Sequence, residues 1–135
     1  MTGFLIPIKD FSPPALAAVR FAIEFGKRSK ARLYFLFLND LGREIAPPGE
    51  SATYRTRDAK LIHETIEALI TCARDHDGLQ TEIYHRNGDY IQEVGQLVRE
   101  NNITEIIISL PDEGEASYEQ TRKDIELLLH MTHCR

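Results

Sequence analysis

Six apolar residues follow one another from Leu33 to Leu38, with no polar residue between them. A strand with one solvated face alternates apolar and polar side chains, whereas a strand covered on both faces is a continuous apolar run. Strands covered on both faces belong to parallel sheets that have helices packed on each side. We therefore expect the segment Arg32–Leu38 to be a strand of a parallel α/β sheet that is covered by helices on both faces.

Strand and helix patterns alternate along the rest of the chain. The other predicted strands are Phe4–Ile8, Thr81–Arg86 and Thr104–Ser109. The third of the four strands is more polar than the others, as an edge strand would be. The predicted helices run from Ser12 to near Lys27, from about Arg55 to His76, from Asp89, and from Ser117.

The element order predicts a doubly wound parallel sheet in three α/β/α layers, because helices between parallel strands make right-handed crossovers. A chain of 135 residues is expected to form a single domain over residues 1–135. Ser12 and Asp89 are expected to cap the first and third helices. In the last helix the residues predicted to pack inward are Tyr118, Ile125, Leu128 and Leu129.

Bulk properties exclude several classes of function. The net charge of −5 argues against binding to a nucleic-acid backbone, which requires a basic face. A membrane-spanning helix needs about 18 or more consecutive apolar residues, and the sequence has no such run, so we expect no membrane insertion. Cys72 and Cys134 are too few for a disulfide framework, which predicts a cytoplasmic protein.

Ligands of doubly wound sheets bind beyond the carboxyl ends of the strands. The turns expected there lie at 8–12, 38–41, 85–89 and 109–116. The candidate ligand-binding residues are Ile8, Lys9, Asp10, Leu38, Gly88 and Ser109.

No catalytic or metal motif accompanies these turns. The sequence contains neither a Gly-x-Ser-x-Gly elbow nor a P-loop, so we expect no catalytic residues and no enzyme activity. His130, His133 and Cys134 have a helical spacing that suits Zn²⁺, but a fourth ligand is not evident. We therefore predict no metal site.

Several segments resemble the universal stress protein family, and together they cover nearly the whole chain. The segments that carry the resemblance are Leu5–Pro13, Ala31–Leu38, Asn87–Val94 and Asn102–Ser109. The resemblance implies an adenine-nucleotide-binding type of α/β fold and a regulatory role in stress response. When Lys9 is counted as an inserted residue, the resemblance also matches Asp10 to an acidic residue that contacts the adenine in ATP-binding members. From the residues alone, Asp10 belongs to a polar turn before Ser12 and supports the start of the first helix.

The sequence departs from the family pattern after the fourth strand. ATP-binding members have a glycine-rich loop there, whereas the stretch Ser109–Ser117 has Gly114 as its one glycine, beside Asp112, Glu113 and Glu115. Phosphates favour exposed backbone N–H groups and neutral or positive surroundings. We therefore predict that the chain holds no ATP and needs no cofactor.

The family's sheet also has a fifth strand that pairs two subunits, and the sequence stops at Arg135, where that strand would begin. The fold is accordingly expected to lack the final strand. The fourth strand is then expected at an edge of the sheet, and a homodimer stays an open alternative.

The leading hypothesis is a universal stress protein-like regulatory module that binds a protein partner or a small ligand. A second hypothesis is an AMP- or adenosine-binding protein that uses Asp10, Leu38 and the Gly88 turn. A third is a phospho-acceptor receiver-like domain, for which Asp10 and Asp89 would supply the acidic residues. An enzyme of a related adenine-binding fold is the fourth.

Overall fold

A computed structural model describes residues 2–39, 50–110 and 117–132, and gives only the backbone course of residues 39, 50–57, 117 and 131. Four strands and four helices alternate in it. In chain order they are β1 (Gly3–Ile8), α1 (Pro13–Ser29), β2 (Arg32–Asn39), α2 (Glu50–Asp75), β3 (Thr81–Asn87), α3 (Tyr90–Glu100), β4 (Ile103–Ile106) and α4 (Ser117–Met131).

The four strands form one parallel sheet in the order β3-β2-β1-β4. The polar strand β3 lies at an edge, as its sequence predicts, and β2 lies between β3 and β1. In the part of the chain that the structure describes, β4 forms the opposite edge. A receiver domain has the order 2-1-3-4-5, in which β1 lies between β2 and β3. Here β1 lies between β2 and β4, so the receiver-like hypothesis is wrong.

Two hydrophobic cores lie on opposite faces of the sheet, which confirms the three-layer α/β/α fold. On one face α1 and α2 pack on side chains that include Ile6, Leu33 and Phe35. On the other face α3 and α4 pack on Leu5 and Leu36. All five of these strand residues are fully buried, because successive residues of a covered strand point into opposite layers.

Helix α1 begins as its sequence predicts, since the Ser12 side chain accepts a hydrogen bond from Ala15 N and Pro13 occupies the first helical position. Asp89 likewise caps α3, accepting from Gln92 N at 3.1 Å. Both turns lie at the carboxyl ends of strands. The two caps therefore fix the chain where a ligand of such a sheet would approach.

Three predicted details differ from the structure. Helix α2 begins at Glu50, earlier than expected, and β4 ends at Ile106, earlier than Ser109. Beyond β4 the backbone still donates one hydrogen bond from Ile107 N to Leu5 O. Leu129 of α4 is 61% exposed, so its predicted inward packing is wrong.

The buried face of α4 consists instead of Thr121, Asp124 and Leu128. These residues are three and four positions apart, which places them one above the other on a helix. Two of them are polar, and the reason for their burial lies at the end of β1. None of the described helices is long and apolar enough to cross a membrane.

Candidate functional site

The parallel register brings the ends of β1, β2 and β3 to one edge of the sheet. Ile8 is paired with Phe37, and Asn39 with Asn87. The turns that carry Lys9, Asp10 and Gly88 therefore leave the sheet at the same edge. This is the edge at which doubly wound folds bind their ligands.

The candidate residues on the strands themselves are enclosed in the cores. Ile8 is 3% exposed and belongs to the core beneath α1 and α2. Leu38 is 7% exposed and belongs to the core beneath α3 and α4. Ser109 is partly buried beyond the end of β4. Ile8 and Leu38 therefore offer a ligand little side-chain surface, and they fix the directions of the turns that follow them.

Gly88 forms the turn between β3 and α3 in a conformation that requires glycine. Its φ is +155°, where a side chain would be strained. A Cβ at this position would also lie 3.1 Å from Oε1 of Glu93. The turn thus brings backbone close to the first turn of α3.

Lys9 turns towards α3 and α4, where it lies at the centre of a polar cluster. Its Nζ donates to Thr121 Oγ1 at 3.2 Å and lies 3.5 Å from Asp124 Oδ2. It also lies 5.0 Å from the centre of the Tyr90 ring, within the range of a cation–π contact. We call these four residues the Lys9 cluster. Their contacts explain why two polar residues are buried on α4.

The Lys9 cluster is largely withdrawn from water. Thr121 is 1% exposed and Asp124 8% exposed. Burial raises the pKa of the Tyr90 phenol, and the negative charge of Asp124 raises it further. Tyr90 therefore stays protonated well into the alkaline range. The Asp124 carboxylate, the Thr121 hydroxyl and the Tyr90 ring together replace the hydration that the Lys9 ammonium loses on burial.

The first turn of α1 has no backbone N–H group available to a ligand. Pro13 and Pro14 have no N–H. Ala15 N donates to the side chain of Ser12, and Leu16 N donates to its carbonyl oxygen. The Ser12 hydroxyl in turn donates to Asp10 Oδ1 at 2.6 Å.

A cavity of about 730 Å³ lies between the start of α1 and α2; we call it the α1–α2 cavity. Among the described residues, its apolar lining consists of Phe11, Pro13, Ala59, Leu61 and Ile62. The described polar lining consists of Asp10, Ser12 and Asp58. Among the candidate residues predicted from sequence, Asp10 is the one that lines this cavity.

Four rings lie side by side behind the α1–α2 cavity, and we call them the aromatic row. Phe11 stacks on His63 with ring centres 4.1 Å apart, and Phe37 stacks on His85 at 5.2 Å. Phe11 and Phe37 are 6.1 Å apart. His63 Nε2 also lies 2.8 Å from Glu67 Oε1 one turn further along α2. The row therefore joins the first βα turn to α2 and β3.

Sequence reasoning missed the partners that give Lys9 and Phe11 their surroundings. Thr121 and Asp124 carried one signal, since their spacing with Leu128 predicts a shared helix face. No local pattern in the sequence marks the stack of His63 on Phe11. Such contacts depend on how α2 and α4 are placed on the sheet.

No group of three or more histidine, cysteine or acidic side chains within the described ranges is arranged to hold a metal ion. His133 and Cys134 of the suspected zinc pattern lie outside the described residues. So do Asp112, Glu113, Gly114 and Glu115 of the acidic loop.

The fold, with its turns grouped at the carboxyl ends of the strands, defines a doubly wound α/β domain. Domains of this class bind small molecules at that edge of the sheet. Residues 4–117 match the model of the universal stress protein family. The chain therefore belongs to the universal stress protein family. A search among curated proteins finds no significant match.

Solved structures with the same fold are distant in sequence. A universal stress protein family member from Burkholderia pseudomallei is 18% identical, with a TM-score of 0.62 over 98% of this chain and 91% of its own. A universal stress protein in complex with cAMP is 13% identical, with a TM-score of 0.62 and the same two coverages. An Archaeoglobus fulgidus universal stress protein in complex with dAMP is 14% identical, with a TM-score of 0.54 over 94% of this chain and 90% of its own.

Proposed function

We propose that this member of the family is a regulatory binding module of the stress response that does not hold ATP through a glycine-rich loop. It acts by binding a protein partner or a small ligand in the cytoplasm, and it is not an enzyme. The structural observation that carries the proposal lies beside the strand that such a loop follows: at the end of β1, which pairs with β4, the groups that could attract a phosphate are already bonded within the protein.

Two kinds of group usually bind phosphate at such an edge, namely a cationic side chain and the free N–H groups of a helix start. The ammonium of Lys9 is paired with Asp124 and bonded to Thr121. The N–H groups of Ala15 and Leu16 are bonded to Ser12. A triphosphate would therefore have to displace internal hydrogen bonds to gain its own.

The loop that follows β4 supports the same proposal from the sequence. It carries Asp112, Glu113 and Glu115 around its one glycine. Charges of the same sign at short range raise the free energy of binding by on the order of 1 kcal/mol or more for each pair at an effective dielectric constant of ~20.

The contacts of the Lys9 cluster also favour a binding role over catalysis. A lysine ammonium donates hydrogen bonds and accepts none, so Lys9 cannot take the proton of the Thr121 hydroxyl. Thr121 itself is 1% exposed, which keeps it from substrates in solution. A threonine nucleophile would need a neighbouring base and an open approach.

The second candidate function is binding of AMP or adenosine, and two observations favour it. Relatives of the same fold are found in complex with cAMP and dAMP. Asp10 lies exposed at the mouth of the α1–α2 cavity, where a carboxylate accepts hydrogen bonds from an amino group. Adenosine would make this contact without placing phosphates at the end of β1.

Thermal unfolding with Mg-ATP, AMP, adenosine and no ligand tests both candidates. A ligand present at about 100 times its dissociation constant stabilises the folded state by about 2.7 kcal/mol, a shift of several degrees in a domain of this size. We expect no shift with Mg-ATP. A clear shift with Mg-ATP would contradict the leading proposal, and a shift with AMP or adenosine alone would establish the second candidate.

A further inference from the structure

We infer that the α1–α2 cavity binds a planar apolar molecule that carries a positive charge, such as a protonated aromatic amine. This inference rests on the proposed binding role and extends it by naming the chemical class of the ligand. The cavity of about 730 Å³ has the size of an ordinary small-molecule site. Its walls, its charges and the adjoining helix start each bear on what can occupy it.

The walls of the cavity favour a flat apolar ligand. Phe11, Leu61 and Ile62 contribute apolar surface to it. The Phe11 ring is held by its stack on His63, with ring planes 17° apart. A ligand that packs on a ring already fixed in place does not have to order that ring, so less entropy is lost on binding.

The charges that line the cavity favour a cation. Asp10 and Asp58 both line it, and both are exposed. Its described lining includes no lysine, arginine or histidine. Among the described residues, Asp10 receives one hydrogen bond, from the Ser12 hydroxyl, which leaves acceptor positions on both of its oxygens for an ammonium group. Within the described lining, a bound anion would face two carboxylates and no counter-charge.

The adjoining start of α1 does not attract an anion either. Helix starts usually bind anions through free N–H groups. Here Pro13 and Pro14 supply none, and those of Ala15 and Leu16 are used by Ser12. The first βα turn of this sheet is thus chemically suited to a cationic ligand, although it occupies the place where many α/β folds bind phosphate.

The experiment uses two probes that share an indole ring and differ in charge, tryptamine as the cation and indole-3-propionate as the anion. The chain contains no tryptophan, so indole fluorescence excited beyond the tyrosine band comes from the probe alone. Anisotropy of each probe is measured while the 135-residue chain is titrated. We expect tryptamine anisotropy to rise to saturation, and to rise less at high salt because the attraction is screened. Indole-3-propionate should stay free.

Variants locate the binding site. Asp58→Asn keeps the shape of the side chain and removes its charge, so tryptamine affinity should fall about two- to fivefold, the effect of a solvent-exposed ion pair. Asp75→Asn makes the same change at the other end of α2, outside the lining of this cavity, and should leave the affinity unchanged. Phe11→Leu keeps apolar volume but removes the ring, and should also weaken binding.

Three outcomes would overturn the inference. They are equal binding of both probes, binding of neither, and an equal effect of Asp58→Asn and Asp75→Asn. A thermal shift with Mg-ATP that Asp58→Asn does not change would contradict the proposed function alone. Tryptamine binding without a thermal shift in the presence of Mg-ATP would support both the inference and the proposed function.

Discussion

The ammonium of Lys9 lies 3.5 Å from the carboxylate of Asp124, and this contact joins the end of β1 to the buried face of α4. The side chains of the pair are only 15% and 11% exposed. An ion pair so far withdrawn from water is screened less than a surface pair. Each charge also depends on its partner to offset the free energy lost when it is removed from water. The contact therefore links the carboxyl end of β1 to the layer that α3 and α4 form on one face of the sheet.

Replacing Lys9 with methionine should destabilise the protein, because Asp124 and Thr121 would stay buried with fewer partners. We expect a loss of about 2 kcal/mol, between the effect of an exposed ion pair and that of a fully buried one. Urea denaturation measures it. Lys27→Met is the matched control, since Lys27 pairs with Glu24 and Asp77 on the surface and should lose much less.

A double-mutant cycle tests whether the loss comes from the pair itself. If it does, Lys9→Met combined with Asp124→Asn should cost less than the sum of the single changes. Strict additivity would show that the two side chains do not interact across the Lys9 cluster.

Stability should fall as the pH rises above about 10, and Tyr90 should account for part of that fall. Burial raises the pKa of Tyr90 in the folded state, followed by the effect of Asp124. An unfolded tyrosine ionises near pH 10, so above that pH the unfolded state binds fewer protons than the folded state and is favoured. The contribution is complete below pH 10 and is lost progressively above it.

Thermal unfolding between pH 9 and about 11.5, across the unfolded pKa near 10, measures this effect. Tyr90→Phe removes the ionisable group and keeps the ring beneath Lys9. The variant should therefore lose less stability over this range than the natural protein. Equal losses in the two proteins would mean that Tyr90 does not carry the effect.

Replacing Gly88 with alanine should destabilise the turn between β3 and α3. The φ of +155° is available almost exclusively to glycine, and the new Cβ would lie 3.1 Å from Glu93 Oε1. We expect a loss of about 1–3 kcal/mol in chemical denaturation. Gly78→Ala is the control, because its φ is +69° and nothing lies within 4 Å of its Cβ position. A loss at Gly78 as large as that at Gly88 would contradict the role of the close approach.

The stack of Phe11 on His63 should stabilise the folded protein by more than the burial of the two rings alone. Aromatic pairs of this kind are worth about 0.5–1.5 kcal/mol in double-mutant cycles. Phe11→Leu and His63→Ala, alone and combined, should show coupling of this size by urea denaturation. Phe21→Leu on the exposed side of α1 should show no coupling with His63→Ala. Coupling of Phe21 as large as that of Phe11 would indicate a general effect on α1.

The layers of the fold could be predicted from the sequence because the patterns that indicate them are local. The apolar run from Leu33 to Leu38 predicts a strand covered on both sides, and the order of strands and helices predicts the parallel crossovers. Ser12 and Asp89 were recognised as caps, since a cap depends on the few residues that follow it. The limits of α2 and β4 were less well predicted, because helix and strand ends depend on neighbouring elements.

The sequence by itself also determined the sign of the charges, the absence of tryptophan and the two prolines that open α1. Only the tertiary structure decided what those residues meet. Lys9 and Asp10 are adjacent in sequence, yet one is paired with α4 on one side of the sheet and the other lines a cavity beside α2. Successive residues at the end of a strand point to opposite faces, so the helix that packs on each face decides the partner of each side chain.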